Sequence, residues 1–99
     1  MITEWQPLAM RSLKRTYNYR KEKSGIEKAR KFRKKIFDRV KSLKSFPKLG
    51  KVVKSLVDSE FEYRFIIEGH FKIIYRIEKD KIIIIEFFDS RQSPDKLIF

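Results

Sequence analysis

The sequence predicts a two-layer α+β domain of the order β-α-α-β-β-β, in which an antiparallel sheet packs against an N-terminal helical hairpin. Two helical stretches occupy the N-terminal half, and three strand-like runs follow one another in the C-terminal half. The helices carry apolar stripes that need a surface to pack against, and one face of the strands supplies it. A length of 99 residues is typical of one domain, which we expect to span residues 1–99.

The predicted sheet consists of three runs joined by short turns. Residues 61–67 and 71–77 alternate between two faces, whereas residues 82–88 are almost wholly apolar. Alternation with a period of two is typical of half-buried strands, and a continuous apolar run indicates a strand covered on both faces. Gly69 and Asp80 lie between the runs and predict tight hairpins. The side chains that we expect to face the helices are Phe61, Tyr63, Phe65, Phe71, Ile73, Tyr75, Ile83, Ile85 and Phe87.

The two helices are predicted from their apolar spacing and from their ends. Pro7 suits the first turn of a helix that extends to about residue 23. Ser24 and Glu27 have the spacing of a capping box, which predicts a second helix from about residue 25 to residue 45. The apolar stripe of this second helix is predicted to consist of Ala29, Phe32, Ile36, Val40 and Leu43, flanked by Phe37.

Two further segments flank these elements. Residues 2–5 predict a short edge strand, and residues 51–57 predict either a connection or a fourth strand. No run approaches the ~20 apolar residues that span a bilayer, and no signal peptide is visible, so we expect a cytoplasmic protein without a membrane partner. The absence of cysteine excludes disulfides and thiolate metal sites.

The positive charge is concentrated in one half of the chain. Residues 1–50 carry 16 Lys/Arg and 4 Asp/Glu, a net charge of +12, whereas residues 51–99 carry nine of each. Such asymmetry favours an acidic partner such as nucleic acid, the ribosome or an acidic protein, although a solvated helix face that only keeps the protein soluble is the alternative. The basic residues that we expect to contact nucleic acid are Lys31, Lys34, Lys35, Lys51, Lys72 and Arg76.

The alternation also predicts a charged cluster on the sheet face away from the helices, formed by Glu62, Arg64, Lys72, Arg76 and Glu86. One interpretation is structural: Glu86 and Arg76 form an ion pair across neighbouring strands. The other interpretation is functional: the face is exposed and concave, and Arg64 is available to a phosphate or a carboxylate.

Four other positions are candidate functional residues. Arg91 follows the last strand, where polar residues on an irregular segment are well placed for function. Lys51 and Lys54 precede the sheet and can reach its charged face. His70, the only histidine, lies in a hairpin, where it is either merely exposed or a general base. The sequence has no catalytic triad, glycine-rich phosphate loop or zinc-binding spacing, so it predicts neither a cofactor nor a metal.

Three segments together resemble a known family. They are Tyr63-Arg64, the run GHFKIIYRI at residues 69–77 and the run FFDSRQSP at residues 87–94. With the order of short strand, basic helical hairpin and three-stranded meander, they make the whole chain similar to the RelE/ParE toxin superfamily of bacterial type II toxin–antitoxin systems. The resemblance implies a small cytoplasmic toxin that a co-expressed antitoxin holds inactive in a hetero-oligomer.

The superfamily has two mechanisms, and the resemblance leaves both open. RelE-like toxins cleave messenger RNA in the ribosomal A site, whereas ParE-like toxins poison DNA gyrase and are not nucleases. Two features point in opposite directions: the Arg-Gln-x-Pro ending at Arg91 is similar to ParE-like members, but a net charge of +12 favours entry into the ribosome. We place the RelE-like, metal-independent ribonuclease first, with gyrase inhibition or a basic nucleic-acid-binding module as alternatives.

The resemblance also implies roles for individual residues in RNA cleavage. Arg64 matches the sheet arginine that contacts the scissile phosphate, and Arg91 matches the arginine that follows the last strand. Lys51 or Lys54 stands for the basic residues before the sheet. The reaction needs a group that accepts a proton and one that donates a proton, for which the candidates are Lys54, Glu86 and His70.

Overall fold

The computed structural model describes residues 1–57 and 60–91. The elements are β1 (Ile2–Trp5), α1 (Pro7–Ser24), α2 (Ile26–Ser42), β2 (Lys51–Val52), a 3-10 turn (Lys54–Leu56), β3 (Glu62–Glu68), β4 (Phe71–Glu78) and β5 (Lys81–Asp89). In this part of the chain the strands form one sheet of order β1-β5-β4-β3-β2, and the helices pack on one of its faces. The predicted two-layer α+β fold is confirmed.

The sheet is mixed rather than purely antiparallel. Strands β2, β3, β4 and β5 pair antiparallel with their neighbours, as predicted for the meander. Strand β1 is the predicted edge strand, and it runs parallel to β5, with Ile2 opposite Lys81 and Trp5 opposite Ile84. The segment at 51–57 is partly a strand and partly a connection, because β2 pairs with β3 before the 3-10 turn begins.

The turn between the helices depends on Gly25, and the predicted capping box is wrong. Ser24 is the last residue of α1, and Gly25 precedes α2 with a φ of 94° and without a side-chain cap. A left-handed φ costs glycine nothing, so the sharp turn comes from the backbone rather than from a serine hydroxyl. Helix α2 ends at Ser42, three residues before the predicted end, and Ser42 Oγ donates to the Arg39 carbonyl over 2.6 Å.

The core lies between the helices and the inner face of the sheet. The predicted apolar stripe of the second helix is confirmed for Ala29, Ile36, Val40 and Leu43, which directly follows α2, and each of these is at most 2% exposed. Phe32 is partly buried and packs against the core. The strands contribute fully buried side chains, of which the largest are Tyr75 and Phe87. No helix in the described ranges is long and apolar enough to span a membrane.

The predicted facing of β3 is wrong. Ile66 lies opposite Ile73 in the core, so the residues of β3 that share its face turn toward the helices. Tyr63 and Phe65 therefore point to the outer face, opposite Arg76 and Ile74. Aromatic residues on this face are in cation–π contact with basic side chains, as where Lys72 Nζ is 4.2 Å from the Phe65 centroid.

A bulge in β5 explains why the predicted facing of this strand is also partly wrong. The register shifts between Ile74 and Tyr75, so that Glu86 lies opposite Ile74 but Ile84 lies opposite Tyr75. One extra residue in a strand reverses the alternation beyond it. Ile82, Ile84 and Phe87 consequently face the core, and the prediction that Ile83 and Ile85 do so is wrong.

Candidate functional site

The outer face of the sheet carries an open cleft of about 700 Å³ beside β2. We call it the outer cleft; its lining residues are Lys51, Val52, Val53, Lys54, Ser55, Phe65, Lys72 and Ile74. Three of the predicted functional residues thus come together here, namely Lys51, Lys54 and Lys72. They surround a mostly apolar lining.

The local pairing of the chain builds the outer cleft. Lys51 lies opposite Phe65, and the Val53 amide donates to the Tyr63 carbonyl over 3.0 Å, which extends the pairing past β2. The 3-10 turn then begins at Lys54. Lysine stems can cover apolar surface while their ammonium groups stay in water. The cleft therefore suits a partner with both apolar and acidic groups.

Arg64 lies outside the outer cleft, and its predicted position on the outer face with Glu62 is wrong. It is opposite Tyr75 on the helix side of the sheet, and its side chain is 17% exposed. Its Nη1 donates to the Gly50 carbonyl over 2.7 Å and to the Lys48 carbonyl over 3.4 Å. Its Nε donates to the Glu62 carboxylate, and this hydrogen bond lowers the pKa of Glu62.

The buried Tyr75 side chain also binds the backbone of residues 47–50. Its hydroxyl donates to the Pro47 carbonyl over 2.6 Å and accepts from the Gly50 amide over 3.0 Å. Burial raises the pKa of Tyr75. Gly50 approaches the sheet so closely that a Cβ there would lie 2.5 Å from the Phe65 carbonyl oxygen. We call this set, made of Arg64, Tyr75 and residues 47–50, the sheet anchor.

The predicted ion pair between Glu86 and Arg76 is also wrong. Arg76 lies opposite Ile83, and its Nε donates to Glu78 over 3.1 Å. The Arg76 guanidinium also lies 4.6 Å from the Phe61 centroid. Glu86 instead accepts from the Phe87 amide over 3.1 Å. Because the register places Glu86 opposite Ile74 and Arg76 opposite Ile83, the two side chains do not form the predicted ladder.

His70 and Arg91 lie at the same end of the sheet, where Asp89 pairs with Phe71. Ser90 donates to the His70 carbonyl from both its amide and its hydroxyl, each over 2.7 Å. Arg91 binds Asp89 with Nε at 3.0 Å and Nη2 at 2.7 Å, and these hydrogen bonds lower the pKa of Asp89 to about 2. Asp89 lies opposite Phe71, whereas Arg64 lies opposite Tyr75, so Arg91 and Arg64 belong to different parts of the sheet.

The predicted nucleic-acid contacts on α2 also lie away from the outer cleft. Lys31 and Lys35 line a cleft between α2 and the β3–β4 turn. Lys34 pairs with Asp38 over 2.8 Å on an exposed part of the helix. Among residues 1–57 and 60–91, no group of three or more His, Cys, Asp or Glu side chains is arranged to hold a metal ion.

Sequence reasoning missed the sheet anchor. It treated Tyr75 only as a side chain that faces the helices, and it expected Arg64 to be available to a ligand. The only signal in the sequence was a proline and a glycine close together before a strand that contains an arginine. The Arg-Gln-x-Pro ending continues past Arg91, outside the described residues.

Comparison with known proteins identifies the family. The model of the ParE toxin of type II toxin–antitoxin systems, parDE, matches residues 3–94. The chain belongs to the ParE toxin family. The predicted resemblance to the RelE/ParE superfamily, and with it the assignment as a toxin of a type II toxin–antitoxin system, is therefore confirmed.

A solved structure supports the fold of this ParE family member. It is described as a chromosomal ParDE toxin–antitoxin system from P. aeruginosa, and it superposes with a TM-score of 0.71 at 24% sequence identity. The match covers 90% of this chain and 95% of that chain. No curated protein matches the sequence.

Proposed function

We propose that this chain arrests bacterial growth as a ParE-like inhibitor of DNA gyrase that does not cut RNA. The observation that carries the proposal is the match of the ParE toxin family over residues 3–94. The sequence places ribosome-dependent cleavage first and gyrase inhibition as an alternative, and the family match favours the alternative. A toxin with this target would act in the cytoplasm.

The distribution of the candidate catalytic groups supports a binding mechanism. RNA cleavage requires a proton acceptor, a cation for the phosphate charge and a proton donor around one phosphate. The guanidinium of Arg64 is committed to the Gly50 carbonyl and to Glu62, and that of Arg91 is committed to Asp89 at another part of the sheet. Separation of this kind suits a protein that acts through its surface.

The outer cleft is the surface that we propose for protein contacts. Its apolar lining offers burial to a partner side chain, and Lys51, Lys54 and Lys72 offer ion pairs to carboxylates. We propose that gyrase is contacted here and that an acidic antitoxin segment neutralises the toxin by covering the same cleft. Such a segment can be disordered before it binds and fold on the toxin.

A supercoiling assay with purified gyrase tests this function. We expect the chain to inhibit supercoiling of relaxed plasmid, and we expect added antitoxin to restore it. The variant K51Q/K54Q/K72Q should lose inhibition, whereas K21Q/K41Q/K44Q, which removes the same charge elsewhere on the chain, should retain it. Full supercoiling at a large excess of folded toxin would refute gyrase as the target.

RelE-like cleavage of messenger RNA remains a second candidate because of one feature of the outer face. Glu86 lies opposite Ile74, which lines the outer cleft together with Lys54 and Lys72. A carboxylate near lysines can supply a proton acceptor next to cations that bind phosphate. This mechanism requires Glu86, so E86Q should abolish toxicity in a growth assay. Gyrase inhibition predicts that E86Q remains toxic.

A further inference from the structure

A second charged surface lies along the helical hairpin, on the side that faces the β3–β4 turn. Two adjoining clefts of about 430 and 580 Å³ share Arg20 and Phe71. We call them together the hairpin cleft. Its basic lining residues lie on α1, on α2 and just after the end of β5. They are Arg15, Arg20, Lys23, Lys28, Lys31, Lys35 and Arg91.

Aromatic rings hold Arg20 at the centre of this surface. Its guanidinium lies 4.3 Å from the Phe32 centroid and 5.5 Å from the Phe71 centroid. Phe71 is itself stacked on Phe87 at 5.0 Å. Cation–π contacts fix the plane of a guanidinium while its N–H groups stay available at the edge. Arg20 is therefore positioned to bind an anion in the hairpin cleft.

The cations of the hairpin cleft are poorly neutralised. Its acidic lining residues are Glu68 and Asp89, and Asp89 is bound by Arg91. Within the described ranges, no ion pair involves the cleft's other basic residues, in contrast to Lys34, which pairs with Asp38. Uncompensated charges of one sign, gathered in a cleft, raise the local concentration of a polyanion.

The spacing of these cations fits a phosphate backbone. On α2 they recur at Lys28, Lys31 and Lys35, and on α1 at Arg15 and Lys23 with Arg20 between them. At a rise of 1.5 Å per residue, each row is about 10–12 Å long. One strand of a duplex places a phosphate every 3.4 Å or so along its axis, so each row spans about three phosphates.

We propose that the hairpin cleft binds the phosphodiester backbone of nucleic acid, without reading its sequence. A nucleic acid is favoured over an acidic protein segment because polar and charged groups make up a larger share of the lining here than in the outer cleft. Its rings at Phe32 and Phe71 are covered by Arg20, whereas the outer cleft also has aliphatic side chains in its lining, namely Val52, Val53 and Ile74. The proposal does not depend on gyrase being the toxin's target.

Binding of the purified chain to a fluorescent 20-bp DNA duplex of arbitrary sequence tests the site. We expect the logarithm of the binding constant to fall linearly with the logarithm of salt concentration, with a slope of about −4 to −6. The variant K28Q/K31Q/K35Q should bind at least about tenfold more weakly at low salt and flatten the slope by about 2 to 3. Because these lysines are exposed, the variant is expected to fold, which circular dichroism checks.

Two control variants distinguish DNA binding at the hairpin cleft from attraction of DNA by the net charge of the chain. K21Q/K41Q/K44Q removes the same charge outside the cleft and should change affinity by less than about threefold. R20K keeps the charge but loses the planar stack on Phe32, and it should weaken binding by about threefold. If the α2 variant does not fold, R15Q/K23Q on α1 serves the same test.

Three results would overturn the proposal. One is the absence of DNA binding at low salt. Another is an equal loss of affinity in the cleft variant and in its charge-matched control, which would mean that net charge alone attracts DNA. The third is a cleft variant that binds DNA normally but no longer binds the acidic antitoxin, which would assign the surface to protein. None of these results depends on the supercoiling assay.

Discussion

The sheet anchor and the hairpin cleft both contain an arginine, but they use it in opposite ways. Arg64 donates to the backbone carbonyls of Lys48 and Gly50 and to a carboxylate, so its charge serves the fold. Arg20 lies on aromatic rings, and no described carboxylate lies within ion-pair distance of it. An arginine in a strand can therefore be structural, while one on a solvated helix remains available to a ligand.

The strongest test of the anchor is Gly50→Ala. A Cβ at this position would meet the Phe65 carbonyl oxygen at 2.5 Å and the Tyr75 hydroxyl at 2.8 Å, so the segment would have to move off the sheet. We expect a loss of about 2–3 kcal/mol in the free energy of unfolding, measured with urea.

Gly69→Ala is the matched control for that substitution. Gly69 has a φ of 61° but nothing within 4 Å of an added Cβ, so we expect a cost of only about 1 kcal/mol from backbone strain. If both variants lost the same stability, close packing of Gly50 against the sheet would not be what holds residues 47–50 in place.

Tyr75→Phe tests the anchor with a smaller change. The substitution leaves the Pro47 carbonyl and the Gly50 amide without the hydroxyl that joins them. We expect a cost of about 1–3 kcal/mol at neutral pH, measured by urea unfolding. Tyr63→Phe, on the outer face, is the control and should cost less; an equal loss would show that the hydroxyl of Tyr75 has no special role.

The raised pKa of Tyr75 predicts a change in the free energy of unfolding at alkaline pH. Burial raises the pKa of Tyr75 in the folded state, so its contribution to stability is complete below pH ~10 and declines as the pH rises toward the folded pKa. Wild type should therefore lose stability above pH ~10 more steeply than Tyr75→Phe does. Parallel curves for the two proteins would indicate that Tyr75 ionises as readily in the folded chain as in the unfolded one.

The pairing of Asp89 with Arg91 predicts the smallest effect, because Arg91 is largely exposed. The pKa of Asp89 is lowered to about 2, so its contribution is present above the unfolded value near 4 and is lost as the pH falls toward 2. Asp89→Asn should flatten the stability curve between pH ~4 and ~2. A curve as steep as that of wild type would mean that the pair contributes nothing.

The elements of the fold could be read from the sequence, but the facing of the strands could not. The apolar stripe on α2 repeats at helical spacing, and β1 has apolar residues that fit an edge strand. The local pattern of apolar residues was therefore sufficient to predict both elements. In β3 both alternating sets contain large apolar residues, namely Tyr63 and Phe65 on one face and Ile66 on the other. Register, which depends on partner strands, decides between them.

The positions of the candidate site residues were predicted unevenly for the same reason. Lys51, Lys54 and Lys72 do share a cleft, because the pairing of β2 with β3 brings their segments together. Glu86 was expected next to Arg76, but the register, which depends on the partner strand, places Glu86 opposite Ile74 and Arg76 opposite Ile83. The resemblance supplied the family correctly, and it could not reveal that Arg64 donates to the backbone before β2.

The proposed function is that this ParE family member acts by binding and not by cutting RNA. The most direct measurement is primer extension on an abundant messenger RNA after the chain is induced in a bacterium without its antitoxin. We expect growth arrest with intact messenger RNA. Cuts that follow the reading frame and disappear when translation is blocked would contradict it and establish the ribosome-dependent ribonuclease.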